Sequence, residues 1–329
     1  MKCLLIVVAL VLAVSASSEL SVAGRWSEFK LEHTKSYQDK VEEVKRFAIF
    51  QDNLKKIEEH NARYETGEET YKMSVNKFAD MTSEEFGAML KASYKRRSAI
   101  NDTRSVYQAP ADVAIPTSFD WRSKGVLNAV KDQGNCGSCW AFASVAVVES
   151  AYAIKTGNLL SLSEQQLVDC ARGGSYISEG CDGGIYEDAL DYVTKNGIDS
   201  ESAYPYKGRD QTCRPSGNPA ARVSSWTDIA PNSENDIANL VATVGPIGVS
   251  LYAEPIQFYD SGIFTGYCSD SIYLVDHAVA AIGYGTENGI NYWIIRNSWG
   301  DDWGEEGHFR IQRGANKCAI ANEAAYVVV

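Results

Sequence analysis

The chain has 329 residues and a formal net charge of −12, long enough for two or three core-forming units. Its composition is that of a folded protein, which excludes collagen, coiled coil and disorder. The acidity is uneven: residues 1–114 carry 17 basic and 17 acidic side chains, whereas residues 115–329 carry 14 and 26. That balance argues against nucleic-acid binding, and its plainest meaning is solubility.

Lys2, the apolar run Cys3 to Val14 and the small residues Ser15-Ala16-Ser17 form the pattern of a secretory signal, with cleavage expected after Ala16. The run is too short to span a bilayer and no later segment is apolar enough, so a chain that passes through an oxidising lumen is expected, with no membrane span. Residues 17 to about 112 are charged and lack cysteine. Apolar positions at helical spacing (Val41, Val44, Phe47, Phe50, Leu54, Ile57) predict a helix from Tyr37 to about Asn61. Tyr71 to Phe78 alternates like a strand, and Ser83-Glu84-Glu85-Phe86 opens another helix. Lys95-Arg96-Arg97 and the polar run to Pro116 read as an exposed linker carrying the sequon Asn101-Asp102-Thr103, a glycosylation site.

From Ile115 the chain turns aromatic and glycine-rich. A loop, Gln133 to Ser138, feeds the uncharged run Trp140 to Val148, so Cys139 is expected at the N-terminus of a buried helix. Further helices are predicted from Ser163 (a capping box with Gln166) to Cys170, from Ile185 to Asn196 stopped by Gly197, and from Ser233 to Val244 with Asp236 at the third position. Strands follow at Val249–Tyr252, Ala278–Tyr284, Asn291–Arg296 and Gly307–Gln312, with Asn288-Gly289 a turn. Helices first and strands later imply an α+β unit of two subdomains with a cleft between them.

With Cys3 removed, seven cysteines remain, so one is left over in a secreted chain. Neither a zinc nor a redox reading of Cys136-x-x-Cys139 fits, because no second ligand pair at finger spacing and no flanking βαβ pattern follows. No metal and no cofactor are therefore expected. A cysteine at a helix N-terminus has a lowered pKa and a usable thiolate. A nucleophile needs a base and the base an orienting group. His277, before an apolar strand, is the candidate base; His308, within a strand-like alternation, reads as structural. Asn297, close to Trp299 and Trp303, is the candidate orienting amide, and Gln133 with the Cys139 backbone N–H the candidate oxyanion site.

The motifs Cys136-Gly137-Ser138-Cys139-Trp140, Ser163-Glu164-Gln165, Gly180-Cys181-Asp182-Gly183-Gly184 and Asn297-Ser298-Trp299-Gly300 resemble those of the papain-like cysteine peptidases. Glu42, Arg46, Phe50, Asn53, Ile57 and Asn61, followed by Ser74, Asn76, Phe78 and Asp80, resemble the inhibitory pro-region of the cathepsin L-like group, with Ser74 in place of the usual glycine.

The resemblance implies an α+β fold with a helical left and a β-barrel-like right subdomain, preceded by a helical pro-domain. It divides the chain into a signal at 1–16, a pro-region at 17–112 and a peptidase at 113–329, with processing near Asp112 to Ile115. It selects the disulfides Cys136–Cys181, Cys170–Cys213 and Cys268–Cys318, leaving Cys139 free. It gives Ile185, Tyr186, Ser250, Val275, Ala278 and Glu323 as lining the main specificity pocket. Gly137, Gly183, Gly184, Asp276 and Trp299 become further substrate-side positions. Glu323, where the family often has a small or apolar residue, is expected to pair with a substrate arginine in a pocket that also takes Phe or Leu. The implied protein is a monomeric endopeptidase of a secreted or lysosomal compartment. Its partners are peptide and protein substrates, its own pro-region and cystatin-type inhibitors.

Overall fold

The computed structural model describes residues 21–90, 106–109 and 114–329. The signal, the Asn101 sequon, Lys95-Arg96-Arg97 and residues 110–113 of the processing region lie outside the described residues.

The N-terminal unit begins with α1 (Val22–Glu32), which the sequence reading did not anticipate. Only Trp26 and Phe29 of this helix are buried, so packing of those two against Phe50 holds it rather than a strong apolar stripe. The long helix α2 is Lys40–Glu65 rather than Tyr37 to Asn61. It starts late because the Asp39 carboxylate accepts from the Val41 and Glu42 N–H groups at 2.8 and 2.9 Å. Of the expected strand Tyr71 to Phe78 only β1 (Tyr71–Met73) forms. Beyond it Asn76 turns the chain, its Oδ1 accepting from Phe78 N at 3.0 Å and its Nδ2 donating to Gln257 O at 2.8 Å. Next, α3 (Ser83–Leu90) is opened by Thr82 and Glu85, whose side chains accept from each other's backbone N–H.

Two short strands, β2 (Val106–Tyr107) and β3 (Phe119–Asp120), lead into the C-terminal unit. There α4 (Cys139–Thr156) is buried on nearly every side and ends at Gly157. Its neighbours are α5 (Glu164–Cys170) and α6 (Tyr186–Asn196). Ser163 caps α5 by accepting from Gln166 N at 3.0 Å, but the box is not reciprocal, because Gln166 Oε1 instead accepts from Asp199 N. The remaining elements are β4 (Ser225–Ile229), α7 (Glu234–Thr243), β5 (Ile247–Leu251), β6 (Tyr259–Phe264), β7 (His277–Glu287), β8 (Ile290–Arg296), β9 (His308–Gln312) and β10 (Ala324–Val328). Ser233 precedes α7 without capping it: its hydroxyl donates to Asp236 Oδ2 at 2.6 Å. Asn288 and Gly289 both take positive φ in the β7–β8 turn.

The strands run in the order β1-β6-β9-β8-β7-β5-β10-β4-β2, with β3 on β7. One apolar core lies among α4, α5 and α6 on one face of this sheet. A second fills the barrel side and takes in Tyr71, Phe78, Phe86 and Leu90 of the N-terminal unit. The third, around Trp26, Phe29, Phe50 and Leu54, is completed by Phe258 of the C-terminal unit. The N-terminal unit also adds β1 to the sheet edge, with Tyr71 opposite Gly262. Glycine is required at 262: φ is +92° and a Cβ would lie 2.5 Å from Thr70 O. The N-terminal unit is thus built into the sheet and two of the cores.

Candidate active site

Cys139 is the first residue of α4 and the free cysteine of the described residues. The disulfides are Cys136–Cys181, Cys170–Cys213 and Cys268–Cys318. The first ties the loop before Cys139 to the glycine-rich wall, where Gly137 N also donates to Cys181 O at 2.9 Å. Across the cleft His277 is the first residue of β7. Its Nε2 lies 2.7 Å from Asn297 Oδ1, and since an amide oxygen only accepts, Nε2 carries the proton. Nδ1 is then the free basic nitrogen, and it is buried without a hydrogen bond. Trp299 stacks on the imidazole at 4.7 Å and, with Trp303, is fully buried, which keeps water from the His277–Asn297 bond. Asn297 Oδ1 is itself fixed by the Ser298 N–H at 2.8 Å.

Gln133 is completely buried. Its Oε1 accepts from Ser298 Oγ at 2.7 Å, so its NH2 must point the other way, where it donates to Cys136 O at 3.0 Å. Tyr206 braces this loop, bonding Gln133 O at 2.8 Å and the Ser138 hydroxyl at 2.7 Å. Beneath Asn297 lies a charged group the sequence reading missed. Lys131 pairs with Glu149 and Glu164, and Arg296 donates to Asn128 O and Ala129 O at 2.7 and 2.6 Å, anchoring the strand that delivers Asn297. His308 is structural, its Nδ1–H donating to Glu306 O at 2.9 Å.

Burial opposes the thiolate expected from the helix N-terminus. Burial pushes the Cys139 thiol up to about 12, and burial pushes His277 down to about 4 against the opposing pull of Asn297. Burial thus works against a charge on either group. The N-terminal unit contributes to this burial: Cys139 has no exposed surface, and its Sγ lies 3.7 Å from Leu90 O at the end of α3. A carbonyl oxygen accepts from a neutral thiol and repels a thiolate, and the displaced water no longer stabilises either charge.

The expected specificity pocket is partly assembled by sheet register. Ser250 pairs with Ala278 across β5 and β7, and its N–H donates to Glu323 O at 3.2 Å. The Glu323 carboxylate is bonded by the Ser250 side chain, yet burial raises it to about 7. Glu187 and Asp228, not singled out from sequence, add two carboxyl groups to this corner; burial, then Glu323, raises Glu187 to about 8. Val275 is buried and Ile185 half-buried, while Tyr186 packs into the helical core. Gly183 and Gly184 are buried in the wall. Asp276 accepts from Ala253 N at 2.7 Å and is raised by burial to about 7. Among the described residues no group of three or more His, Cys, Asp and Glu is placed to hold a metal ion, and no helix is long and apolar enough to cross a membrane.

Residues 115–328 match the papain family cysteine protease domain, and residues 26–86 match the cathepsin propeptide inhibitor domain (I29). The chain is 45% identical over 309 residues to digestive cysteine proteinase 2 of Homarus americanus, covering 92% of this chain and 94% of that protein. It is 42% identical over 320 residues to cathepsin L1 of Drosophila melanogaster, covering 94% and 85%. Its fold is similar to that of procathepsin L 3 of the Tenebrio molitor larval midgut, with TM-score 0.87 and 41% identity over 94% of this chain and 100% of that one. The chain belongs to the papain family of cysteine proteases, as a cathepsin L-like peptidase zymogen with its propeptide inhibitor domain seated on the cleft.

Proposed function

We propose that this zymogen yields an endopeptidase whose nucleophile is Cys139, with His277 as base and acid, Asn297 as its orienting group and Gln133 as oxyanion donor. The observation that carries the reading is the free thiol at the start of α4, blocked by Leu90 O of the pro-region, facing a strand that begins with an Asn297-bonded histidine. Once the pro-region leaves, water and the α4 N-terminus favour charge again, and the Cys139 proton passes to His277 Nδ1. The thiolate attacks the substrate carbonyl. Gln133 Nε2 turns from Cys136 O and, with the Cys139 N–H, takes the developing oxyanion. His277 then protonates the leaving amine, and water activated by the same imidazole hydrolyses the thioester.

Gly137, Gly183 and Gly184 run along the substrate backbone. Ile185, Val275, Ala278 and Ser250 line the pocket for the second residue before the scissile bond, with Glu323 at its floor, so that Phe, Leu and Arg are accepted. The boundaries remain those of the sequence reading: signal to residue 16, pro-region to 112, peptidase from 113. Three disulfides favour the secretory pathway, and the enzyme works as a monomer, open to cystatin-type inhibitors, in an extracellular or lysosomal lumen. Acid activation followed by peptide-library profiling tests this, with Cys139→Ala as control. Cleavage by the control, or none by the activated wild type, refutes the assignment.

A further inference from the structure

We propose that the mature enzyme carries an acidic subsite on the leaving-group side of the scissile bond, formed by Asp132 and Asp302, that selects a lysine or arginine of the substrate. The inference rests on the reading of Cys139 and His277 above. The pro-region itself supplies the motivating observation. Lys77 forms an ion pair with Asp132 Oδ2, and its Nζ lies 3.7 Å from Asp302 Oδ1. All three groups converge over Gly300: a Cβ built there would meet Asp302 Oδ1 at 2.8 Å, Asp132 Oδ2 at 3.3 Å and Lys77 Nζ at 3.4 Å. The next pro-region residue, Phe78, packs edge-on against Trp299 at 5.5 Å, and His33 is close enough to feel both Asp302 and Lys77. The pro-region thus seats a basic side chain and an aromatic one beside the ring that covers His277.

Two features make this a site that outlasts the pro-region. Asp132 keeps supports within the C-terminal unit, its Oδ1 accepting from Gly134 N at 2.8 Å and its backbone bridging to Trp299. Asp132 and Asp302 both keep about half of their side-chain surface exposed, whereas Lys77 keeps 20%. When the pro-region leaves, Lys77 goes with it and two neighbouring carboxylates lose their shared cation. The side follows from the chemistry: His277 protonates the leaving amine, so the residues beyond the scissile bond pass the Trp299 face of the imidazole. Glu323 lies elsewhere, beside Ser250 at the β5–β10 pairing. One basic residue on each side of the bond is therefore recognised by separate carboxylates.

The test uses activated enzyme and quenched peptides with one fixed acyl-side sequence, carrying Lys, Gln or Glu at each of the first three positions after the scissile bond. The expected order of kcat/KM at one of these positions is Lys above Gln above Glu. Each step is roughly three- to fivefold, as for solvent-accessible ion pairs, and shrinks at about 0.5 M salt. In the double variant Asp132→Asn/Asp302→Asn the three peptides converge; Asp302→Glu keeps the order. A dipeptidyl coumarin reporter, which has no leaving-side residue, shows that each preparation is active. Equal rates for the three peptides in the wild type, at every position, overturn the subsite and mean that the two carboxylates only anchor the pro-region. An activated wild type that fails to cleave even the reporter refutes the nucleophile reading and the subsite with it. Should the double variant fail to fold, the wild-type series decides alone.

Discussion

The state of the Cys139 thiol gives the sharpest test of how the pro-region silences the enzyme. With the thiol near 12, roughly one part in 10⁵ is thiolate at pH 7. A nucleophile of this family type in an open cleft, at about 3–4, is all thiolate. Ionisation alone does not translate into that ratio of rates, because intrinsic nucleophilicity falls with pKa at a Brønsted slope of about 0.4–0.5. Over eight units that returns some three to four powers of ten, leaving about a 10- to 100-fold difference. The rest must come from access, since Cys139 has no exposed surface and Leu90 O lies against its Sγ. The assay is alkylation of Cys139 by iodoacetamide, followed by peptide mass. Zymogen and activated enzyme are compared between about pH 6.5 and 9, above the acid range where activation competes. The mature rate is expected to exceed the zymogen rate by far more than 100-fold. The zymogen rate should climb about tenfold per pH unit as the rare thiolate becomes commoner, while the mature rate stays flat. A zymogen rate within about tenfold of the mature rate, with no pH slope, would refute the reasoning.

Asn297→Ala removes the acceptor of His277 Nε2 and the anchor of the Ser298 N–H. We expect kcat/KM to fall by at least roughly 10²-fold. The basic limb of the pH profile should move to lower pH, because that bond raises the histidine's pKa; a full-activity variant would exclude Asn297 as the orienting group. Burial raises the Glu323 carboxyl to about 7, so it gains its charge as pH rises through that value. The preference for Arg-Arg over Phe-Arg substrates should therefore rise between about pH 6 and 8 in the wild type and stay flat in Glu323→Ala. Equal ratios in the two enzymes at all pH values discard the arginine role. Glu85 sits at the α2–α3 junction of the pro-region. Partial burial raises its pKa, but the Thr82 N–H and the Arg46 and Lys45 cations outweigh that, and the net shift is downward. A depressed carboxylate contributes stability above its unfolded value of about 4.3 and loses it as pH falls through the folded one. Acid thus loosens this junction, and Glu85→Gln, lacking the contribution at every pH, should activate at a higher pH than wild type; an unchanged activation profile counts against it.

Much of this molecule was written in local signals. Cys139, His277 and Asn297 were each legible as candidates, because an unpaired cysteine before an apolar helical run, a histidine at a strand start and an amide among tryptophans are short-range patterns. The helices α4 to α7 and the strands β5 and β7 to β9 followed from periodicity and from glycine and asparagine stops, with errors of a few residues at their ends. The elements that escaped, α1, β2, β3, β4, β6 and β10, owe their form to partners distant in the chain, as Trp26 does to Phe50, β2 to β4, β3 to β7 and β10 to both β4 and β5. Cap chemistry behaved the same way. Asp39 and Thr82 cap as short-range rules allow, whereas Ser233 spends its hydroxyl on Asp236.

The sequence by itself determined the family, the catalytic candidates and the presence of a covering pro-region, because these rest on residue types at fixed spacing. Only the tertiary structure set the burial that opposes charge at the site. The helix N-terminus argues for a thiolate, but α3 ends on the thiol and removes its water, and desolvation outweighs the dipole. Tertiary structure also brought Glu187 to Glu323 and set Lys77 over Asp132 and Asp302. Such charge groupings depend on separations through space, which no spacing along the chain records.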